Sequence, residues 1–282
     1  MKKYTLLLIA LLAFIFISGC DKIDPPYVNT PGDNGGGEEE LVQKVLLEDY
    51  TGHTCVNCPA AAKLASDLKQ LYGEKLIIMA VHAGYFAEVE SPPFDLDLRT
   101  QSGNSWNANF GVISYPSGMI NRGFFGDRRV VGKGDWAPRV ATAVGIDPKA
   151  GIEIETTYNE SDRKLEIKID SRFLENTNEN YFLQVCLLED SIPGAQRNND
   201  ASVGDTPTIT DYFHRHVLRK GVNGNYGEAV TGGAIVANEN YTHEYSLNLN
   251  ADYKAKHCSV IAFLYRTSDN EILQVEERQI LE

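Results

Sequence analysis

Val45-Leu46-Leu47-Glu48-Asp49-Tyr50-Thr51-Gly52-His53-Thr54-Cys55-Val56-Asn57-Cys58-Pro59 decides the architecture around it. An apolar run ends in a short turn, two cysteines follow at C-x-x-C spacing, and a helical stretch begins at a proline. Thiol–disulfide exchange proteins hold a reactive thiol in this order of strand, cysteine pair and helix. Cys55 falls where unpaired backbone N–H groups and the positive end of the helix dipole stabilise a thiolate. Cys58 lies one turn further on, close enough to close or open a disulfide with it.

Outward from this stretch, the spacing predicts a strand over 41–50 and a helix over 59–71, striped by Ala62, Leu64, Ala65, Leu68 and Leu71 and stopped at Gly73. Residues 76–82 are continuously apolar, as in a strand buried on both faces of a parallel sheet. A helix is expected over 96–109 and another over 136–144. Between them 118–122 and 128–131 form a hairpin. This β-α-β-α-β-β-α order is that of an α/β domain, expected over 41–148. Past Pro148 the pattern changes to short strands at hairpin spacing: 151–158, 164–173, 181–188, 241–249, 258–266 and 272–278. That is an all-β, immunoglobulin-like sandwich domain over 149–282. The polar stretch 191–210 reads as a surface loop, and the glycine-rich 221–233 as another, since it lacks the lysine and helix of a phosphate loop.

The N-terminus fixes the compartment. Lys2 and Lys3 precede a twelve-residue apolar run, 6–17, shorter than the roughly 20 residues a membrane-spanning helix needs. It fits the core of a signal peptide over 1–19. The sequence Ile17-Ser18-Gly19-Cys20 resembles a bacterial lipobox, which implies an exported protein lipidated at Cys20. Residues 20–40, rich in proline, glycine and glutamate, read as a flexible linker. Removing 1–19 takes away two lysines and no acid, so the formal charge goes from -13 to -15. Nothing in so acidic a chain favours nucleic acid as a partner. The membrane is expected only through the lipid on Cys20.

Residues 41 to about 145 resemble a thioredoxin domain. Cys55-Val56-Asn57-Cys58 matches the active-site pair, and Tyr115-Pro116 matches the cis-proline facing it. Asp49, six residues before Cys55, matches the buried acid. The resemblance implies Cys55 as attacking thiol, Cys58 as resolver, Asp49 as proton carrier and Pro116 as part of the site. His53, Thr54, Val56, Asn57 and Tyr115 would line a groove for an extended partner. Thr54 and Val56-Asn57 depart from the family's tryptophan and glycine–proline. His53 either raises thiolate character when protonated or faces solvent. The whole chain, including Tyr212-Phe213-His214-Arg215-His216-Val217-Leu218-Arg219, resembles the 28-kilodalton outer-membrane protein family of bacterial lipoproteins, which implies a lipid-anchored outer-membrane location with the membrane face left open.

Three readings of the cysteine pair stay open: active exchange on the thiols and disulfides of exported or envelope proteins, a fixed disulfide in a binding or adhesion module, and a metal site. The last lacks a second C-x-x-C to complete four ligands. Pro59 in place of histidine after Cys58 excludes haem attachment. No cofactor is expected and no metal assigned. His214 and His216 share a face if extended, with packing the favoured role. Asp211 and Arg219 are expected to pair. Cys186 and Cys258 are expected as free, buried thiols, a disulfide being the alternative.

Overall fold

A computed structural model describes residues 41–281. The signal peptide, Cys20 and the linker lie outside these residues. Residues 41–282 form one compact unit. Its strands are β1 (Val45–Thr51), β2 (Leu76–His82), β3 (Ser117–Ile120), β4 (Val131–Gly132), β5 (Ala150–Asn159), β6 (Lys164–Phe173), β7 (Tyr181–Glu189), β8 (Ile192–Arg197), β9 (Thr208–His214), β10 (Val217–Gly221), β11 (Glu228–Ala229), β12 (Asn240–Asn248), β13 (Cys258–Arg266) and β14 (Ile272–Gln279). Its α-helices are α1 (Cys58–Tyr72), α2 (Gln101–Asn109) and α3 (Trp136–Ala143).

The fold is β-rich, with one large mixed sheet and few helices. The large sheet runs β14-β13-β7-β10-β2-β1-β3-β4, with β11 added beside β7. β1 and β2 pair in parallel from Val45–Leu76 to Thr51–His82, and β3 runs antiparallel to β1. β10 joins the two halves: it pairs parallel to β2 at Val217–Ala80 and antiparallel to β7. Strands from both segments separated at Pro148 in the sequence therefore share one sheet.

Side-chain alternation divides the core between the faces of this sheet. Along β7, Leu183, Val185 and Leu187 pack with Ile154, Leu165, Ile167 and Ile169 of the separate three-stranded sheet β12-β6-β5. Cys186 and Leu188 turn the other way, joining Ile77, Met79, Leu46, Trp106 and Phe263. At the β1–β3 end, Val45, Leu47 and Ile78 meet Ala61, Ala65 and Leu68 of α1 and Val140 of α3. All seven residues of β2 are buried, which is why it reads as an unbroken apolar run.

Several expected elements shift. α1 carries Pro59 in its first turn, where its missing N–H costs nothing, and ends at Gly73 with φ +56. Leu71, expected on the buried stripe, is exposed, because the inward face is Ala61, Ala65 and Leu68. α2 starts only at Gln101, where the Thr100 hydroxyl caps the N–H of Gly103 at 2.9 Å. The expected surface loop 191–210 instead contains β8 and the start of β9, an antiparallel pair with a bulge between Gly194 and Gln196. Arg219 pairs with Glu189 at 3.3 Å rather than with Asp211. Cys186 and Cys258 are free and buried, and they belong to different core clusters.

One polar pair lies inside the core. Asn121 and Arg122 follow β3 with φ +47 and +52, and the Asn121 side chain accepts from the Leu46 N–H at 2.7 Å. That turn sends Arg122 inward to Glu48, and both are buried. The guanidinium lies 4.9–5.8 Å from the ring centres of Trp106, Phe110, Phe263 and Tyr265, which adds cation–π attraction to the ion pair.

Candidate functional site

β1 delivers its last residues to a tight turn at Gly52, and the chain passes through His53 and Thr54 to the cysteines. A Cβ on Gly52 would lie 2.4 Å from the Phe86 carbonyl group, so only glycine allows this approach. Thr54 fixes the approach from the other side. Its N–H and its hydroxyl both bond to the Phe86 carbonyl, at 3.1 and 2.9 Å. Cys55 and Cys58 are joined in a disulfide with Cα atoms 5.4 Å apart. Helix α1 begins at Cys58, after Asn57.

Tyr115-Pro116 is a cis peptide, as the resemblance implies. The Tyr115 hydroxyl donates to Asn107 Oδ1 at 2.6 Å, and its ring meets Tyr85 and Phe86 nearly edge-on. Gly84, with φ +66, leaves the space this tyrosine fills. Tyr115 and Thr54 are thus linked through the 84–87 turn.

The disulfide is sealed. Cys55 is 1% and Cys58 2% exposed, because the end of β8 and the residues after it lie across the 52–57 segment. Gln196 donates its side-chain amide to the carbonyls of Gly52 and Cys55, at 3.3 and 3.0 Å. The Arg197 N–H bonds to the His53 carbonyl at 2.8 Å, and the Asn199 N–H to that of Val56 at 3.1 Å. Asn199 also donates to Asn57 Oδ1 at 2.8 Å, and Arg197 bridges to Glu90 at 2.7 Å. The backbone that the resemblance assigns to a partner's groove is occupied by the chain's own hairpin.

Beneath the hairpin is a cavity of about 280 Å³, lined by Asp49, Cys58, Pro59, Ala62, His82 and His214 among others. Burial pushes the Asp49 carboxyl up to about 7. Burial holds His82 well below its ordinary value and lowers His214 to about 4, so both imidazoles are neutral at neutral pH. Their rings lie 5.3 Å apart, edge to face. Asp49 Oδ1, both ring nitrogens of His82 and Nε2 of His214 are buried without hydrogen-bond partners.

His53 does not face solvent: it is buried, its ring stacks on Phe94 with centres 6.1 Å apart, and burial lowers its pKa. Val56 and Asn57 stay exposed at the rim. His214 ends β9 and His216, with φ +53, lies in the turn before β10, and both line this cavity. No group of three metal-ligating side chains converges among the described residues. Sequence reasoning missed His82, Gln196, Arg197 and Asn199. The β-branched alternation in Thr208-Ile209-Thr210 was a signal for the hairpin, but nothing local reveals what a hairpin covers.

A model of the outer membrane protein Omp28 family matches residues 103–282. The chain belongs to the Omp28 family. That family is one of outer membrane proteins, so the outer membrane is where this chain resides. No helix among the described residues is long and apolar enough to cross a membrane. HBP35 of Porphyromonas gingivalis is similar in structure, with TM-score 0.64 and 17% identity, over 85% of this chain and 76% of that one. A protein from Agrobacterium tumefaciens matches with TM-score 0.51 and 14% identity, over 86% of this chain and 96% of that one. A domain of the lipoprotein Omp28 from Porphyromonas gingivalis shares 24% identity over 47% of this chain and 88% of that one, with TM-score 0.31. No curated protein matches this Omp28 chain.

Proposed function

We propose that this Omp28 chain is a non-enzymatic lipoprotein of the outer membrane, anchored through Cys20, whose β-rich body serves as a binding or adhesion module. The Cys55–Cys58 disulfide acts as a staple in that body. The observation that carries this reading is the sealed disulfide, since an attacking thiolate needs access to a sulfur and a partner protein has none. A turnover assay with a disulfide-bonded protein substrate tests it. The expected rate equals the uncatalysed one, and catalysis that disappears in a Cys55→Ser variant overturns it.

A second reading is favoured by the order β1, Cys-x-x-Cys, α1, with cis-Pro116 and the Asp49 carboxyl near 7. In it, residues 41–148 are a thioredoxin-like unit, and the sandwich-forming segment 149–282 extends its sheet. Cys55 attacks a disulfide of an exported protein, Cys58 resolves the mixed disulfide, and Asp49 handles the proton. This chemistry requires the 196–199 segment to leave the site first. A Cys58→Ser variant that traps partner proteins from the envelope supports this second reading.

A further inference from the structure

The hairpin covers both cysteines, and only Cys58 also borders a cavity. The cavity between α1, β2 and β9 is lined by Cys58 and not by Cys55. Small or apolar residues, Pro59, Ala62, Ala65, Ile78 and Ala80, form one part of its walls. Its rim carries Ser66, exposed on α1, opposite half-exposed Phe213. At about 280 Å³ it is larger than the roughly 150 Å³ that accommodates benzene. A thiol of a few heavy atoms fits, and a folded protein does not.

The geometry points to Cys58, reached through this cavity by low-molecular-weight thiols, as the first sulfur attacked. The usual order for a pair at a helix start, in which the first cysteine is the reactive one, is thereby inverted. A small thiolate RS⁻ attacks Cys58 Sγ and forms an RS–Cys58 bond. The Cys55–Cys58 bond breaks, and its electron pair leaves on Cys55 as a thiolate beside the N-terminus of α1, where the helix dipole stabilises it. A second RS⁻ then attacks the mixed disulfide, releasing RSSR and the Cys58 thiolate. Two thiols are oxidised to one disulfide, and the Cys55–Cys58 disulfide is reduced. The orphaned polar groups in the lining, Asp49 Oδ1, the two His82 nitrogens and His214 Nε2, give a thiol's polar substituent partners that the apolar walls do not.

This inference goes beyond the staple reading and does not depend on catalysis: it concerns which sulfur meets a small thiol, not how stable the disulfide is. The test treats the full chain with 2-mercaptoethanol, quenches with acid, and maps the mixed disulfide by peptide mass spectrometry. The expected adduct is on Cys58. Ser66→Trp, at an exposed helix position, should slow reduction about tenfold at unchanged melting temperature, and Ala62→Leu, a smaller obstruction, should slow it less. In Gln196→Ala, where the hairpin is loosened, an adduct on Cys55 should appear as well. An adduct on Cys55 alone in the unmodified sequence, or reduction unaffected by both cavity variants, overturns the proposal. The staple reading is tested separately by the turnover assay, so one can fail without the other.

Discussion

The side-chain amide of Gln196 donates to the carbonyl of Cys55 at 3.0 Å, across 141 residues of sequence. The same group reaches Gly52, so one side chain ties the hairpin to both ends of the turn that presents the disulfide. A buried hydrogen bond is worth about 1 kcal/mol net, and Gln196 makes two of them here. Gln196→Ala is expected to raise the rate at which a protein dithiol reduces Cys55–Cys58 roughly tenfold or more, with the overall fold intact by circular dichroism. Timed quenching with an alkylating agent reads this out, and an unchanged rate would show that the hairpin is not the barrier.

Glu48 and Arg122 form the second polar contact on which the architecture depends. Glu48→Gln leaves a buried guanidinium without its counter-charge, which costs about 3–5 kcal/mol. The double change Glu48→Leu with Arg122→Met should recover most of that loss, because the aromatic box accepts an apolar chain of similar length. Urea denaturation of the three proteins checks this, and a single variant as stable as the parent would refute the assignment.

Asp49 and His214 give opposite pH dependences. The folded pKa of Asp49 is raised from 3.8 to about 7, so the folded state holds the proton more tightly. Its contribution is complete below pH 3.8 and is lost as pH rises through 7. His214 is lowered from 6.5 to about 4, so its contribution is complete above 6.5 and is lost as pH falls towards 4. Asp49→Asn is therefore expected to be more stable than the parent at pH 8, on the order of 4 kcal/mol from roughly 1.4 kcal/mol per unit. That advantage should vanish by pH 4. Melting curves at pH 4, 6 and 8 decide it, and a constant difference across the range would contradict the burial of Asp49.

Cys186 and Cys258 are buried, with the Cys258 thiol pushed up to about 12 and that of Cys186 also raised by desolvation. Neither should react with a thiol reagent in the native protein at pH 8, and both should react in denaturant without prior reduction. A denatured protein with no free thiol would mean a disulfide between them.

Much of the frame was legible in the sequence, because β2, β6 and β13 announce themselves by periodicity alone. β2 is apolar at every position, and β6 alternates apolar and polar residues along its length. The cysteine pair was legible from its spacing. What the sequence concealed were contacts between distant segments. Gln196 and Asn199 in the polar 191–210 stretch bond to the turn around Cys55, and polarity alone reads as solvent exposure. His82 is hidden for a similar reason, as it ends an apolar strand and meets His214 only in the folded chain. The joining of both halves into one sheet depends on β10, a short bulged strand whose pairing with β2 rests on Val217 and Ala80.

The equilibrium reduction potential of Cys55–Cys58 separates a structural staple from an exchange catalyst. For a disulfide that staples a folded module, the expected value is below about -300 mV. A value between about -120 and -270 mV, the range of exchange catalysts, would contradict it and make the hairpin a gate over an active thiol pair.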